Sequence, residues 1–310
     1  MKLLSLSIIT YNRPEHIKEY LEHIINPTKE KDIDIYIYDG SSNNKTEKVV
    51  ESFGEAGYKH IRYFHYGSSV RETRQRMMNA MQCPDSQYVW LCGDKFIVNP
   101  VYYDIILDHV KRDFDMITIY NSALNGTQYF DDPVKYLEYS VVPFTHYGAT
   151  IVKKDILVKD IKKEYLEYFP GFARMRYLID SINKPDFKGV TLHLNNLRII
   201  TKYSTRSESE SQMWDIWIKQ WYKMISSLPK QYECVKNKLY SQIDYHMHFF
   251  SLKKLMKQRS EQQFDLKKCI LYHRYVKQVV LLPYIVVLIV SMLPINVADM
   301  LQFYIKDQEI

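Results

Sequence analysis

Residues 5–13 read SLSIITYNR, a short apolar run that ends in a small polar cluster. Two later stretches have the same form, residues 33–42 (IDIYIYDGSS) and residues 88–95 (YVWLCGDK). Open parallel sheets bind ligands just beyond the carboxyl ends of their strands. We therefore predict that these three strand ends together form one ligand-binding crevice.

Around these stretches the sequence alternates between strand-like and helical segments. Runs rich in Ile, Val and Tyr predict strands at residues 4–10, 33–38, 60–64, 88–92, 116–120 and 146–153. Residues 14–26 have apolar side chains at helical spacing, and Pro14 suits a first helical turn. This alternation predicts an α/β fold with a parallel sheet.

Composition and charge leave several classes of partner open. The chain has 310 residues, 27 of them Tyr and only 9 Gly, and a net charge of +6. Such a charge suits nucleic acid, an anionic membrane or a phosphorylated ligand, and only its clustering separates them. The four cysteines are far apart, which predicts free thiols in a reducing, cytosolic setting.

The carboxyl-terminal third has a helical pattern from Ser209 onward. Residues 251–277 carry eight Lys and Arg against two acidic residues, and the uncharged run 279–293 (VVLLPYIVVLIVSML) follows. A spanning helix needs about 20 apolar residues, and Pro283 and Pro294 interrupt or bound this run. We predict that residues 251–303 lie on an anionic membrane surface, with a buried core helix as the alternative. Nucleic acid is disfavoured, because the basic residues are not interleaved with aromatic ones.

Residues 1–151 resemble a family 2 glycosyltransferase of the GT-A type. The resemblance rests on SIITYNRPEHI (7–17), IYIYDGSSNNKT (35–46), a G-x(6)-R element from Gly67 to Arg74, and YVWLCGDK, which stands where the family has its metal-binding aspartates. It implies a Rossmann-like GT-A domain over residues 1–208, with a nucleotide-sugar half (1–121) and an acceptor half (122–208). The α-helical region would then be 209–310.

Such enzymes transfer a sugar, with inversion, from a nucleotide-diphosphate donor and use Mn²⁺ or Mg²⁺. The resemblance implies that Thr10 and Tyr11 line the base pocket, that Asn12 and Arg13 border it, and that Asp39 accepts a hydrogen bond from the base. Gly40 and Ser41, in the same turn as Asp39, would also bind the nucleotide-sugar. The resemblance further implies that Arg74 approaches the diphosphate, that Gly93 and Asp94 bind the nucleotide-sugar, and that Asp94 is the metal ligand.

The sequence departs from the family at two places. The usual Asp-x-Asp motif reads Cys92-Gly93-Asp94, so one carboxylate is missing. We interpret Cys92 as a core residue, and one aspartate can suffice where phosphate and water complete the metal's ligands. The family's Glu-Asp pair, which supplies the catalytic base, is also absent. Asp180 is the first candidate for that base, followed by Glu167 and Glu164. Arg206 and Trp214 fall where a loop often closes over the diphosphate, although an aromatic residue at helical spacing, such as Trp214, is more often part of a core.

The expected function is transfer of a sugar, from a uridine nucleotide donor, to a lipid-linked or polysaccharide acceptor in cell-surface glycan biosynthesis. The protein would act peripherally at the cytoplasmic side of the cell membrane. The missing carboxylate motivates an alternative from another class, a non-catalytic protein that binds a nucleotide-sugar or docks on another transferase. The sequence does not define the sugar, the acceptor or the oligomeric state.

Overall fold

The computed structural model describes residues 1–67, 69–123, 125–199 and 212–305. These residues fall into two units. The sheet unit contains Met1–Lys162 and the described part of 174–206, and the helical unit contains Lys163–Ala173 and the described part of 207–310. The predicted boundary between residues 208 and 209 lies outside the described residues and stays a prediction.

Eight strands of the sheet unit form one sheet, in the order β3-β2-β1-β4-β8-β6-β9-β7. Their bounds are β1 Lys2–Thr10, β2 Asp34–Asp39, β3 Ile61–His65, β4 Ser86–Gly93, β6 Met116–Asn121, β7 Gly126–Phe130, β8 Thr150–Lys153 and β9 Gly189–Leu194. Two short strands, β5 (Ile97–Val98) and β10 (Arg198–Ile199), pair separately. The expected α/β architecture is confirmed.

Helices join these strands. Their bounds are α1 Pro14–Glu30, α2 Lys45–Glu55, α3 Val70–Gln82, α4 Tyr103–Val110, α5 Pro133–Ser140 and α7 Ala173–Ile182. In α1 the predicted apolar face is buried against the sheet, with Ile17, Leu21 and Ile24 in the same core as β1. Helix α3 begins with a capping box, in which Ser69 and Glu72 satisfy each other's backbone N–H groups. The connections from β1 to β2, from β2 to β3 and from β3 to β4 therefore each return the chain through one helix, whereas β6 and β7 are joined by a loop.

The strand ends that the sequence singled out lie side by side. Strand β1 pairs in parallel with both β2 and β4, so Thr10 is opposite Asp39 and Ile9 is opposite Gly93. Parallel pairing carries the polar residues that follow each strand to one edge of the sheet. The register confirms that the three strand ends lie side by side, while their binding of a ligand stays a prediction.

The rest of the sheet is mixed, and here the expectation of a parallel sheet was wrong. Strand β8 runs antiparallel to both of its neighbours, β4 and β6, and β7 runs antiparallel to β9. The strand predicted at 146–153 begins only at Thr150, because Gly148 has a positive φ of 91° and its N–H bonds to the Leu91 carbonyl at 2.7 Å. The chain therefore turns at Gly148 before it enters β8.

The helical unit has an aromatic core. Its elements are α6 Lys163–Tyr168, a π-helix Trp214–Gln220, α8 Trp221–Ser226, α9 Glu233–Met247, α10 Leu252–Ser260, α11 Leu266–Val279, α12 Tyr284–Met292 and α13 Ile295–Gln302. Trp214 stacks on Phe264 with ring centres 4.6 Å apart, and Trp221 meets Phe172 edge-on at 5.3 Å. The predicted helical pattern is confirmed over the described residues.

Trp214 is a core residue, not part of a closing loop. Its side chain is buried, and its indole N–H donates to Gln258 Oε1 at 2.8 Å. Of the two interpretations of Trp214, the structure supports the core residue over the closing loop, because the indole is enclosed in the core of the helical unit. Arg206, which was expected to share that role, lies outside the described residues.

Among the described residues, no single helix combines the length and the apolar composition needed to cross a bilayer. Helices α12 and α13 meet both criteria only when taken together, and the chain bends by 120° at the break between them.

Candidate functional site

Asp94 is held where β4 ends. Its Oδ2 accepts a hydrogen bond from the Thr10 hydroxyl at 2.7 Å, and its Oδ1 accepts one from Arg13 Nη1 at 3.1 Å. The Asp94 side chain is only 6 % exposed, whereas that of Arg13 is 36 % exposed. The structure thus brings together three predicted site residues, two of them from the end of β1 and one from the end of β4.

Asp39 is fixed in the same way at the end of β2. Its Oδ1 accepts the backbone N–H of Ser41 at 2.9 Å, and its Oδ2 accepts the phenol O–H of Tyr63 at 2.8 Å. Burial and this hydrogen bond to Asp39 raise the pKa of Tyr63, so the phenol remains a donor. The carboxylate that the sequence assigned to the nucleoside is therefore buried with both oxygens engaged.

Asn12 joins the first two strand-end loops. Its backbone is left-handed, with φ of 53°, and its N–H donates to Ser41 Oγ at 2.8 Å. Its side-chain Oδ1 accepts the N–H of Ser42 at 3.1 Å. Asparagine tolerates this conformation better than most residues do. The tight turn leaves the neighbouring Tyr11 exposed, with 47 % of its surface open to solvent.

Arg76 reaches this turn, whereas Arg74 was the arginine expected near the diphosphate. The Arg76 Nη1 donates to the Thr10 carbonyl at 3.1 Å. It lies directly over Gly40, where a Cβ atom would come within 1.6 Å of that nitrogen. Burial lowers the pKa of Arg76, and Asp39 and nearby tyrosines oppose that effect. Gly40 is therefore the residue that leaves room for the guanidinium.

Arg74 is directed elsewhere. Its guanidinium pairs with Asp160 and donates to the Ile161 carbonyl at 2.7 Å. A role for Arg74 at the diphosphate stays a prediction. Two positions apart on α3, residues 74 and 76 point to different sides of the helix, and only the folded chain shows which side meets the crevice.

The segment before β8 stands beside the metal-site candidate. A Cβ atom on Gly93 would lie 3.1 Å from Tyr147 Cβ, so Tyr147 packs directly against the residue preceding Asp94. The buried Arg174 stacks on the Tyr147 ring at 4.3 Å from its centre and donates to the Phe144 carbonyl at 2.6 Å. The first turn of α7 thus places an arginine, and not a carboxylate, beside Tyr147.

The candidate bases lie on two helices. Asp180 is in α7, where its carboxylate accepts a hydrogen bond from Arg176 one turn earlier. Glu164 and Glu167 are exposed on α6 of the helical unit, and Glu167 pairs with Lys163 at 3.2 Å. The assignment of the base to any of these three residues stays a prediction.

The divalent cation that the resemblance implies would need ligands from the residues of this site. Within the described ranges, no three His, Cys, Asp or Glu side chains are grouped as metal ligands. Cys92 is buried, which raises its pKa to about 12, so it remains a thiol and its interpretation as a core residue is confirmed. Among the described residues at the end of β4, Asp94 is the one with carboxylate oxygen, and its Oδ1 already faces the positive charge of Arg13. These residues fit a cation that takes its other ligands from a diphosphate and water.

A parallel strand core with aspartates at the ends of β2 and β4, continued into a mixed sheet, defines a GT-A class of nucleotide-sugar transferase fold. Residues 5–158 match the family model for glycosyl transferase family 2. These residues form a glycosyl transferase family 2 domain, and the protein is a glycosyltransferase.

Solved structures agree with this fold. The mannosyltransferase PcManGT from Pyrobaculum calidifontis is 12 % identical, and the match covers 99 % of this chain and 88 % of that one with a TM-score of 0.53. TarS 1–349 from S. aureus is 13 % identical, with coverages of 87 % and 83 % and a TM-score of 0.49. At such low sequence identities these matches support only a shared fold. That conclusion rests on PcManGT, the match with the higher TM-score. A comparison with curated protein sequences found no match.

Proposed function

We propose that the protein transfers a sugar, with inversion, from a uridine-diphosphate donor to a hydroxyl of a lipid-linked or polysaccharide acceptor in cell-surface glycan biosynthesis. It would do so at the cytoplasmic side of the cell membrane. One observation carries the donor part of this proposal: Asp94 is bound by Thr10 and Arg13, while Asp39 is fixed at the adjacent strand end. One edge of the sheet therefore holds acceptors for a base and cations for a diphosphate.

The nucleoside would be bound by Asp39 and Tyr11. A uracil edge presents an N–H, which a carboxylate accepts, and Asp39 is the carboxylate at the end of β2. The exposed Tyr11 ring offers a flat apolar surface against which a base can stack. The bonds from Ser41 and Tyr63 fix the direction of the Asp39 oxygens.

The diphosphate would be bound by Arg13 and Arg76. Guanidinium groups make charge-assisted, often bidentate hydrogen bonds to phosphate. Both of these arginines lie beside Thr10, and Arg13 also contacts Asp94. As the sugar bond breaks, the diphosphate gains negative charge, and these positive groups, already hydrogen-bonded at the strand ends, stabilise that charge.

Asp94 would hold Mn²⁺ or Mg²⁺ together with the donor. When bound there, the metal supplies a Lewis acid at the diphosphate. The choice of manganese for the experiments is supported by PcManGT, which was solved with GDP-Man and Mn²⁺. On the acceptor side, Asp180 is the proposed base for the acceptor hydroxyl, because an inverting transfer needs a carboxylate there.

Asp94→Asn tests the donor site. The amide keeps an acceptor for the Thr10 hydroxyl but removes the negative charge, so we expect transfer to fall by about a hundredfold or more. Manganese-dependent binding of UDP, measured by calorimetry, should be lost as well. Asp104→Asn is the matched control, because Asp104 is a surface residue of α4 that pairs with Lys31.

Two results would contradict the proposal. One is an Asp94→Asn protein that binds and transfers like the wild type. The other is a folded wild type that binds no member of a panel of nucleotide-sugars, with or without manganese, in a thermal-shift assay.

A further inference from the structure

The last helices of the helical unit expose apolar side chains in a regular pattern. On α12, Ile285, Ile289 and Met292 are 59 %, 50 % and 54 % exposed. Residues three and four apart lie on one face of a helix, so these side chains form one stripe. The opposite side of α12 is buried through Val287 and Val290. The stripe is therefore an unpartnered apolar face of a helix that is otherwise well packed.

Helix α11 mixes apolar and basic side chains on its exposed face. Ile270 and Leu271 are 56 % and 68 % exposed. Arg274 and Lys277 are also exposed, and their spacing from Ile270 places them on the same side of the helix. The other side is buried through Cys269, Val276 and Val279. A single face of α11 thus offers both aliphatic and positive groups to a partner.

The charge of this region has one sign. Residues 266–298, which include all of α11 and α12, contain four Lys and Arg and no Asp or Glu. Exposed aliphatic groups beside basic ones are the combination that lies in the interface of an anionic leaflet. A second copy of the chain would instead bring two positive surfaces together.

Local contacts keep the two helices in place. The buried Asp244 accepts the N–H of Leu281, in the connection between α11 and α12, at 2.9 Å, and the N–H of Phe250 at 2.9 Å. The Lys277 ammonium lies 5.2 Å from the centre of the Tyr284 ring, which joins the end of α11 to the start of α12. The connection is thus fixed within the unit while the apolar stripe remains exposed.

We propose that the exposed faces of α11 and α12 bind the surface of a bilayer that contains anionic lipids, with the helices lying in the interface. The inference deepens the proposed function, on which it rests for the lipid-linked acceptor, by assigning the membrane contact to particular side chains. With nine residues, α12 is about 14 Å long, against a hydrocarbon core of about 30 Å. Its length therefore suits insertion into one leaflet.

The test is co-sedimentation of the full chain with vesicles of phosphatidylcholine alone or of phosphatidylcholine mixed with phosphatidylglycerol. The wild type should bind the anionic vesicles more tightly, and less so in high salt. The triple variant Lys267→Gln, Arg274→Gln, Lys277→Gln should lose about 5-fold in partitioning for each charge removed, and only on anionic vesicles.

The double variant Ile285→Ser, Ile289→Ser tests the apolar part. It should bind both kinds of vesicle more weakly, because less apolar surface enters the interface. Two matched controls make the same kinds of change in the sheet unit. The triple variant Lys18→Gln, Lys48→Gln, Lys59→Gln removes three exposed positive charges, and the double variant Val101→Ser, Ile105→Ser removes two exposed aliphatic side chains. Both controls should bind vesicles like the wild type.

The possible outcomes distinguish failure of this inference from failure of the proposed function. A wild type that binds UDP but sediments with neither vesicle would overturn the inference and leave the proposed donor site standing, and the face would then be a docking site for protein. Equal loss in the variants and in their controls would also overturn it. Vesicle binding that depends on these residues, in a protein that binds no nucleotide-sugar, would support the inference while the proposed function failed.

Discussion

At the scale of single residues, the crevice depends on how closely two groups approach. The Arg76 guanidinium lies over Gly40 and donates to the Thr10 carbonyl, so position 40 must lack a side chain for the arginine to stay there. The arginine tip is flexible, so an added methyl group would displace the guanidinium rather than disrupt the fold. Gly40 can therefore affect donor binding without much affecting stability.

Gly40→Ala should weaken binding of UDP by about 10- to 100-fold, the range for a lost hydrogen bond to a charged group. Gly40 does not have a positive φ, so alanine meets no backbone strain there. Calorimetry with UDP and manganese measures the affinity, and urea unfolding measures the stability. Gly54→Ala is the control, because nothing lies within 4 Å of its added Cβ. Unchanged UDP affinity in Gly40→Ala would count against Arg76 as a diphosphate ligand.

The crevice residues that could be predicted from the sequence are those whose position depends on the strands alone. Thr10, Asp39 and Asp94 each end or follow a parallel strand, so their meeting follows from alternating strands and helices. Arg74 was chosen ahead of Arg76, because spacing along α3 does not show which side of the helix turns to the sheet. The contact of Tyr147 with Gly93 could not be predicted, because it depends on the direction of β8.

At the scale of elements, β8 is what brings the second half of the sheet unit to the crevice. As an antiparallel neighbour of β4, it begins where β4 ends. The residues just before it therefore stand at the same edge as Asp94. The local sequence could not show this reversal, since a strand pattern has no direction. It is made by the turn at Gly148, whose N–H bonds to Leu91 and whose carbonyl accepts the Trp90 indole N–H at 2.8 Å.

Gly148→Ala should destabilise the protein more than Gly57→Ala does. Both glycines have a positive φ, 91° and 93°, so both variants have backbone strain of about 1–3 kcal/mol. Only at position 148 would the new Cβ also clash, at 2.5 Å from Phe96 Cδ1. Urea unfolding of the two variants isolates this contact. Equal losses of stability would mean that Phe96 moves aside freely.

At the scale of the whole molecule, the family and the α/β class followed from the first half of the sequence, whereas the assignment of residues 163–173 to the helical unit did not. In the chain these residues lie between two segments of the sheet unit. No pattern in the sequence marks this exchange, because the apolar residues of α6 would suit a core in either unit. The clustering of basic and apolar residues near the carboxyl terminus, in contrast, is readable directly.

Donor binding should stabilise the folded protein as a whole. At a free UDP concentration one hundred times its Kd, in the presence of manganese, we expect about 2.7 kcal/mol of added stability. Scanning calorimetry should show this as a rise in the Tm of the transition that includes the sheet unit. In Asp94→Asn the increment that depends on manganese should vanish. A wild-type Tm that does not change when UDP is added would argue against a donor site in the crevice.

The two carboxylates of the crevice also have a thermodynamic consequence. Asp39 accepts three hydrogen bonds within the protein, and Asp94 accepts two. Immobilising a side chain on binding costs about 0.5–1.5 kcal/mol in lost rotamer freedom. For these two residues that loss has already occurred during folding, so the donor meets a preorganised site and retains more of its interaction energy as affinity.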